Sequence, residues 1–175
     1  MKVFGIAGYS GSGKTTLLVR LLPLIIARGL SVSTLKHAHH TFEIDQPGKD
    51  SHDHRLAGAT EVMIASARRW ALIHEIEPGP GPDPSVADLL AHMTPVDLLL
   101  IEGFKTYPHA KLEVHRPAFG KALIGGDDPS VVAIASDQPL DGVAVPVLDL
   151  NDIPAIADFI VGYCQLTAVT ENGAA

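Results

Sequence analysis

Cysteine is nearly absent: Cys164 is the only one in 175 residues. No intrachain disulfide can form, so a reducing, cytoplasmic setting is expected. Long apolar runs are missing too. None reaches the roughly 20 residues that a membrane-crossing helix needs. The first strand-like stretch runs straight into glycine, so the basic-then-apolar pattern of a signal peptide is not there. Positive charge is scarce. Lys and Arg number 13 against 20 Asp and Glu, a formal net charge of -7. Nucleic acid and anionic membranes both call for a broad basic face, so neither is expected as the main partner. No internal repeat is evident. With 46% hydrophobic residues, the chain reads as one domain over 1–166 with a sizeable core and a disordered tail over 167–175.

What is there begins with Gly8-Tyr9-Ser10-Gly11-Ser12-Gly13-Lys14-Thr15-Thr16. It fits the G-x-x-x-x-G-K-[ST] pattern of a phosphate-binding loop. Gly8, Gly11 and Gly13 can take backbone angles that let the N–H groups of Ser10, Ser12 and their neighbours turn inward on an anion. Lys14 supplies a compact charge for the β/γ-phosphates, and the Thr15 hydroxyl can ligate Mg²⁺. Val3 to Ala7 reads as a buried strand before the loop, and Thr16 to Leu22 as a helix after it. That order is the context the motif requires, and the helix N-terminus adds partial positive charge.

The first helix is expected from Ser12 to Ala27, kinked at Pro23 and stopped by Gly29. Ser31 to Lys36 reads as a second strand. A polar stretch from His37 to Gly48 follows, then a short helix capped by Asp50 or Ser51 and stopped at Gly58. Thr60 to Ala65 and Trp70 to His74 flank Arg68-Arg69 as a hairpin, either a sheet edge or a pairing surface for another subunit. Glu77 to Pro84 is a Pro-Gly connector, and Ser85 caps a helix whose apolar face reaches Met93. Val96 to Ile101 is nearly all apolar, as a central parallel strand should be. Lys111 to His115, Val131 to Ala135 and Val145 to Leu148 are further strands, the last at an edge because of Pro146. Asn151 or Asp152 caps a final helix. Alternating strands and helices around this loop predict an α/β fold of P-loop NTPase type: three layers, a mostly parallel sheet flanked by helices, and an inserted β-hairpin.

In a parallel sheet, residues just past the carboxyl ends of strands share one crevice. Glu102 ends an apolar strand and is the candidate second ligand for Mg²⁺ beside Thr15. Lys14 and Glu102 are the candidate catalytic pair. Lys36 and His37 end the second strand and are candidates for touching phosphate or substrate. Asp45 or Asp50 are candidates to complete the Mg²⁺ shell through water. His37, His39, His40, His52 and His54 raise a transition-metal site as an alternative. Asp137 ends another strand and can accept two hydrogen bonds from guanine N1–H and N2–H₂. The Asn-Lys-x-Asp pattern of many guanine-nucleotide binders is absent, and a turn residue before Pro139 remains the alternative.

These pieces together resemble the molybdopterin-guanine dinucleotide biosynthesis protein B family, over nearly the whole chain to about Ile160. The narrow parts are Leu35-Lys36-His37-x-His39-His40, Asp45 to Ser51, Arg55 to Ala59, Arg69 to Leu72, Ile101-Glu102-Gly103-Phe104-Lys105 and Ile134 to Asp137. The resemblance implies a GTP-binding adapter with Mg²⁺, weak GTP hydrolysis at most, and a homodimer. It implies as partner the guanylyltransferase that joins GMP to molybdopterin, with a molybdopterin-type ligand as a further candidate. Two other functions stay open: a small-molecule kinase on the same loop, and a metal-delivery GTPase using the His-rich segment.

Overall fold

The computed structural model describes residues 1–38, 42–76, 84–104 and 107–167. His39, His40, the Pro-Gly connector up to Asp83 and the tail beyond Thr167 lie outside them. In chain order the elements are β1 (Lys2–Ala7), α1 (Lys14–Ile26), β2 (Val32–Lys36), α2 (Asp50–Leu56), β3 (Glu61–Ala65) and β4 (Trp70–His74). Then come α3 (Val86–Leu90), β5 (Leu98–Glu102), β6 (Lys111–His115), a 3₁₀ turn (Pro117–Phe119), β7 (Val131–Ser136), β8 (Val147–Asp149) and α4 (Ile153–Tyr163). The chain forms two compact units, Met1–His37 with His92–Ala175, and Ala38–Ala91.

The first unit holds a six-stranded sheet in the order β2-β5-β1-β6-β7-β8. Every neighbouring pair in it is parallel. Parallel strands need crossovers, and buried parallel strands read as apolar runs. Leu98-Leu99-Leu100-Ile101 is such a run, and all four residues are fully buried. One face of the sheet presents Phe4, Ile6, Leu98, Leu100, Leu112 and Val114 to a cluster with Leu17, Leu21 and Ile25 of α1 and Ile153, Ile156 and Ile160 of α4. Each such side chain contributes on the order of 2 kcal/mol of burial free energy. This is the P-loop NTPase-type α/β fold that the sequence predicts.

Several boundaries move, each for a local reason. Helix α1 starts at Lys14, because Gly13 sits at φ 103° and cannot belong to a right-handed helix. The cap of α2 is Lys49, not Asp50 or Ser51. Asp50 instead joins the first turn, where its carboxylate meets the positive end of the helix. Helix α3 stops at Leu90, short of Met93, although Ser85 caps it with Asp88 in a reciprocal pair. The final helix is capped by Asp152. The β3–β4 hairpin is a sheet of its own rather than an edge of the larger one, whose edges are β2 and β8.

The sequence reading gave β6 no special place, yet it lies directly beside β1 and all five of its residues are buried. Leu112 and Val114 face the apolar core. The alternate residues Lys111, Glu113 and His115 face the other way. Buried charges must be paired. The Lys111 ammonium donates to the Tyr107 carbonyl and to Asp128, each at 2.9 Å. The Glu113 carboxylate accepts from the backbone N–H groups of Ile124 and Gly125, each at 2.9 Å. The segment after β6 is thereby fastened across this face by charge rather than by apolar packing.

His109 lies next to that stripe, over Gly5 of β1. A Cβ on Gly5 would come within 2.3 Å of the His109 ring nitrogen Nε2. Burial, reinforced by the Lys111 charge, pulls the His109 imidazolium from its ordinary 6.5 to about 4. The folded chain therefore keeps the ring neutral where the unfolded chain protonates it. Between pH 6.5 and about 4, stability should fall with pH, by an amount on the order of 3 kcal/mol. Urea midpoints measured across this window should slope downward in the wild type and flatten in His109→Gln. An equal slope in both would show that another group controls the acid side.

Candidate functional site

The site is built at the carboxyl edge of β1, β2, β5, β6 and β7. β1 ends at Ala7, and the chain then turns through Gly8, Gly11 and Gly13 with φ of 143°, 80° and 103°. Only glycine takes such angles without strain. Gly13 is also the N-cap of α1, and no side chain caps that end. The first turn of α1 holds no acidic residue. The helix dipole therefore places partial positive charge at the cleft, with the Glu102 carboxylate of β5 beside that turn.

That cleft measures about 360 Å³ and is lined by Ser10, Gly11, Gly13, Lys14, Thr15, Thr16, Lys36 and Glu102. Six of these come from the Gly8–Thr16 stretch, one from the end of β2 and one from the end of β5. The pairing of Ile6 with Glu102, and of Lys36 with Glu102, sets the three strand ends level. Thr15 Oγ1 donates to Glu102 Oε1 at 2.8 Å. Lys36 Nζ stands 3.6 Å from the same oxygen. Lys14 Nζ donates to the Tyr9 carbonyl at 2.9 Å, across its own loop. All eight lining residues are among those the sequence predicted, and the side chains of Lys14, Thr15, Lys36 and Glu102 converge in the cleft.

His37 stands beside them in a supporting position. Its N–H donates to the Glu102 carbonyl at 2.9 Å. Its ring lies against Phe104, with centroids 4.4 Å apart. Gly103 at φ 99° permits this, because a Cβ there would meet His37 Cβ at 2.8 Å. Phe104 itself is held at φ 47°. Such strain in a residue bearing a side chain is characteristic of functional loops.

Asp137 lies just past β7. Its Oδ2 accepts from Arg116, while its Oδ1 is buried with no hydrogen-bond partner among the described residues. Arg116 Nε donates to the Ser12 carbonyl at 3.0 Å. Sequence reasoning missed Arg116. A signal was present, because Arg116 directly follows β6 and so sits at the same strand edge as the other candidates.

Asp45 and Asp50 belong to the second unit. Asp45 is held there by Arg55, whose NH2 and Nε donate to its two oxygens at 3.0 and 3.2 Å. That hydrogen-bonded fork keeps the Asp45 carboxyl below its ordinary range. Arg55 also reaches Glu43 and Glu75, and so ties α2 to the segments before it and after β4. Asp50 is exposed in the first turn of α2.

A family model described as "Molybdopterin guanine dinucleotide synthesis protein B" matches residues 3–137. This chain belongs to that family. The matched span runs from β1 through the Gly8–Thr16 loop to Asp137, so it takes in every candidate residue above. The chain is 45% identical over 164 residues to the molybdopterin-guanine dinucleotide biosynthesis adapter protein of Haemophilus influenzae, covering 92% of this chain and 88% of that one. It is 42% identical over 167 residues to the adapter of the same name in Escherichia coli, covering 91% of each. Among solved structures, Bacillus subtilis MobB superimposes with a TM-score of 0.73 at 26% identity, covering 93% of this chain and 97% of that one. The MobB homologue of Bacillus stearothermophilus gives 0.72 at 25% identity, with 94% and 99% covered. The chain is thus an adapter protein in molybdopterin guanine dinucleotide biosynthesis, and an adapter acts through a partner. Among the described residues, no helix is long and apolar enough to cross a membrane.

Lys14 faces the cleft and takes no part in the core. In a titration with inorganic tripolyphosphate, Lys14→Ala should therefore weaken binding at least tenfold, roughly the worth of a charged hydrogen bond, with the unfolding temperature unchanged. Undiminished affinity in a normally folded variant would remove the cleft from consideration.

Proposed function

We propose that this adapter binds GTP with Mg²⁺ at the Gly8–Thr16 loop and assists the guanylyltransferase that joins GMP to molybdopterin. The observation that carries the reading is the contact between Thr15 and Glu102. An octahedral Mg²⁺ with bonds of roughly 2.1 Å needs neighbouring ligand oxygens about 3 Å apart. Thr15 Oγ1 and Glu102 Oε1 lie 2.8 Å apart, so a hydroxyl and a carboxylate of the kind Mg²⁺ accepts stand at the right spacing. Bound Mg²⁺ supplies charge neutralisation for the β- and γ-phosphates.

The chain's own residues divide the remaining work. The N-terminus of α1 and the loop amides receive phosphate oxygens. Lys14 exchanges the Tyr9 carbonyl for phosphate, a stronger partner because both groups are charged. Lys36 adds a second cation on the Glu102 side. Asp137 offers the orphaned Oδ1 to a donor on the base, which suits the N–H edge of guanine. Glu102 is already engaged by Thr15 and Lys36 rather than held toward an attacking water. Slow hydrolysis follows, as befits an adapter. The hairpin exposes Met63 and Trp70 on one face and Ile64 on the other, apolar groups suited to a homodimer or to the transferase.

Isothermal titration should give tighter binding of GTP than of ATP, weakened by removal of Mg²⁺ and by Glu102→Gln. Asp137→Asn should turn preference toward xanthosine triphosphate, whose C2 carbonyl accepts from the new amide. Pull-down of the transferase should depend on added GTP. Equal affinity of the wild type for GTP and ATP would sink the assignment of the base.

A further inference from the structure

The side chain of Arg116 spans two elements that are distant in sequence. Its Nε donates to the Ser12 carbonyl in the loop at 3.0 Å, and its NH1 donates to Asp137 Oδ2 at the end of β7. These partners lie 104 residues before and 21 residues after it. The guanidinium also lies against Gly13, where a Cβ would stand 3.6 Å from NH2. A guanidinium is planar and rigid, with donors aimed in fixed directions. Two acceptors on one guanidinium are therefore fixed relative to each other.

Asp137 needs such a partner. The terminal torsion of an aspartate is broad, so its rotamer alone does not aim a chosen oxygen. Arg116 takes Oδ2 and thereby settles where Oδ1 lies. Oδ1 is buried and has no partner among the described residues. Leaving a buried carboxylate oxygen unsatisfied is costly, and a ligand donor relieves that cost.

We propose that Arg116 is a positioning residue for base selection: it braces the Asp137 carboxylate against the phosphate-holding loop, so that Oδ1 meets the N–H edge of the base. This rests on the reading of Asp137 as the base contact. Arg116 touches no phosphate in this scheme. It makes the distance from loop to carboxylate match the distance from phosphates to base. Its removal should cost discrimination between bases and leave phosphate affinity alone.

The test is isothermal titration of the full chain, with Mg²⁺, against GTP, ATP and inorganic tripolyphosphate. Arg116→Met removes both hydrogen bonds and keeps the apolar stem. The ratio of GTP to ATP affinity should fall about tenfold, and tripolyphosphate should bind as in the wild type. Arg116→Lys should recover part of the ratio, since one ammonium keeps the charge but not the fork. It also serves if the Met variant does not fold. In an Asp137→Ala background, Arg116→Met should change the ratio no further. An unchanged ratio in both Arg116 variants overturns the proposal, as does an equal loss for all three ligands. A wild type that fails to prefer GTP overturns the base reading itself, and this inference with it.

Discussion

The parallel pairing of β1 with β5 is the constraint on which the site depends. β1 carries the Gly8–Thr16 loop from its carboxyl end, and β5 carries Glu102 at its own. Because the strands run the same way in register, Ile6 stands beside Glu102. Thr15, at the start of α1, then falls 2.8 Å from the Glu102 carboxylate. An antiparallel pair would have sent these ends to opposite edges of the sheet. The same rule brings Lys36 from β2 on one side, and Arg116 and Asp137 from β6 and β7 on the other. Five separate segments reach one edge because every crossover returns the chain in the same direction.

Polar groups divide into two kinds by how they are satisfied. Lys111, Glu113 and Asp128 are matched within the fold and hold the segment after β6 across the sheet. They serve the fold. At the carboxyl edge the balance is different. Among the described residues, the N-terminus of α1 has no side-chain cap and Asp137 Oδ1 is buried without a partner. The positive end of α1 lies at the cleft, and Asp137 Oδ1 lies past β7 at the same edge of the sheet. The proposed nucleotide, with phosphates at one end and N–H groups at the other, answers to both.

In the second unit, Arg55 performs the corresponding task. Its guanidinium gathers Glu43, Asp45 and Glu75 around α2. Asp45, a candidate metal ligand by sequence, has both oxygens engaged there by Arg55. An acidic residue in a polar segment reads the same in sequence whether it faces solvent, a cation or an arginine. Only the folded contact separates those cases.

The sequence by itself determined the loop, the strand before it, the helix after it, the apolar run of β5 ending in Glu102, and the β3–β4 hairpin. Each is a local pattern: glycines where positive φ is needed, an apolar run where both faces are buried, alternation bounded by turn residues. Family membership was also legible, because its narrow motifs are continuous stretches such as Ile101 to Phe104. Tertiary structure alone decided the roles of Arg116, Lys111 and Glu113, the engagement of Asp45 and the central place of β6. Lys111-Leu112-Glu113-Val114-His115 alternates like a half-exposed strand, yet every residue is buried. Its charged face is hidden by partners more than ten residues away along the chain. Arg116 meets Ser12 across 104 residues. No local pattern encodes such a meeting, because it depends on which strands become neighbours, and the whole core settles that order.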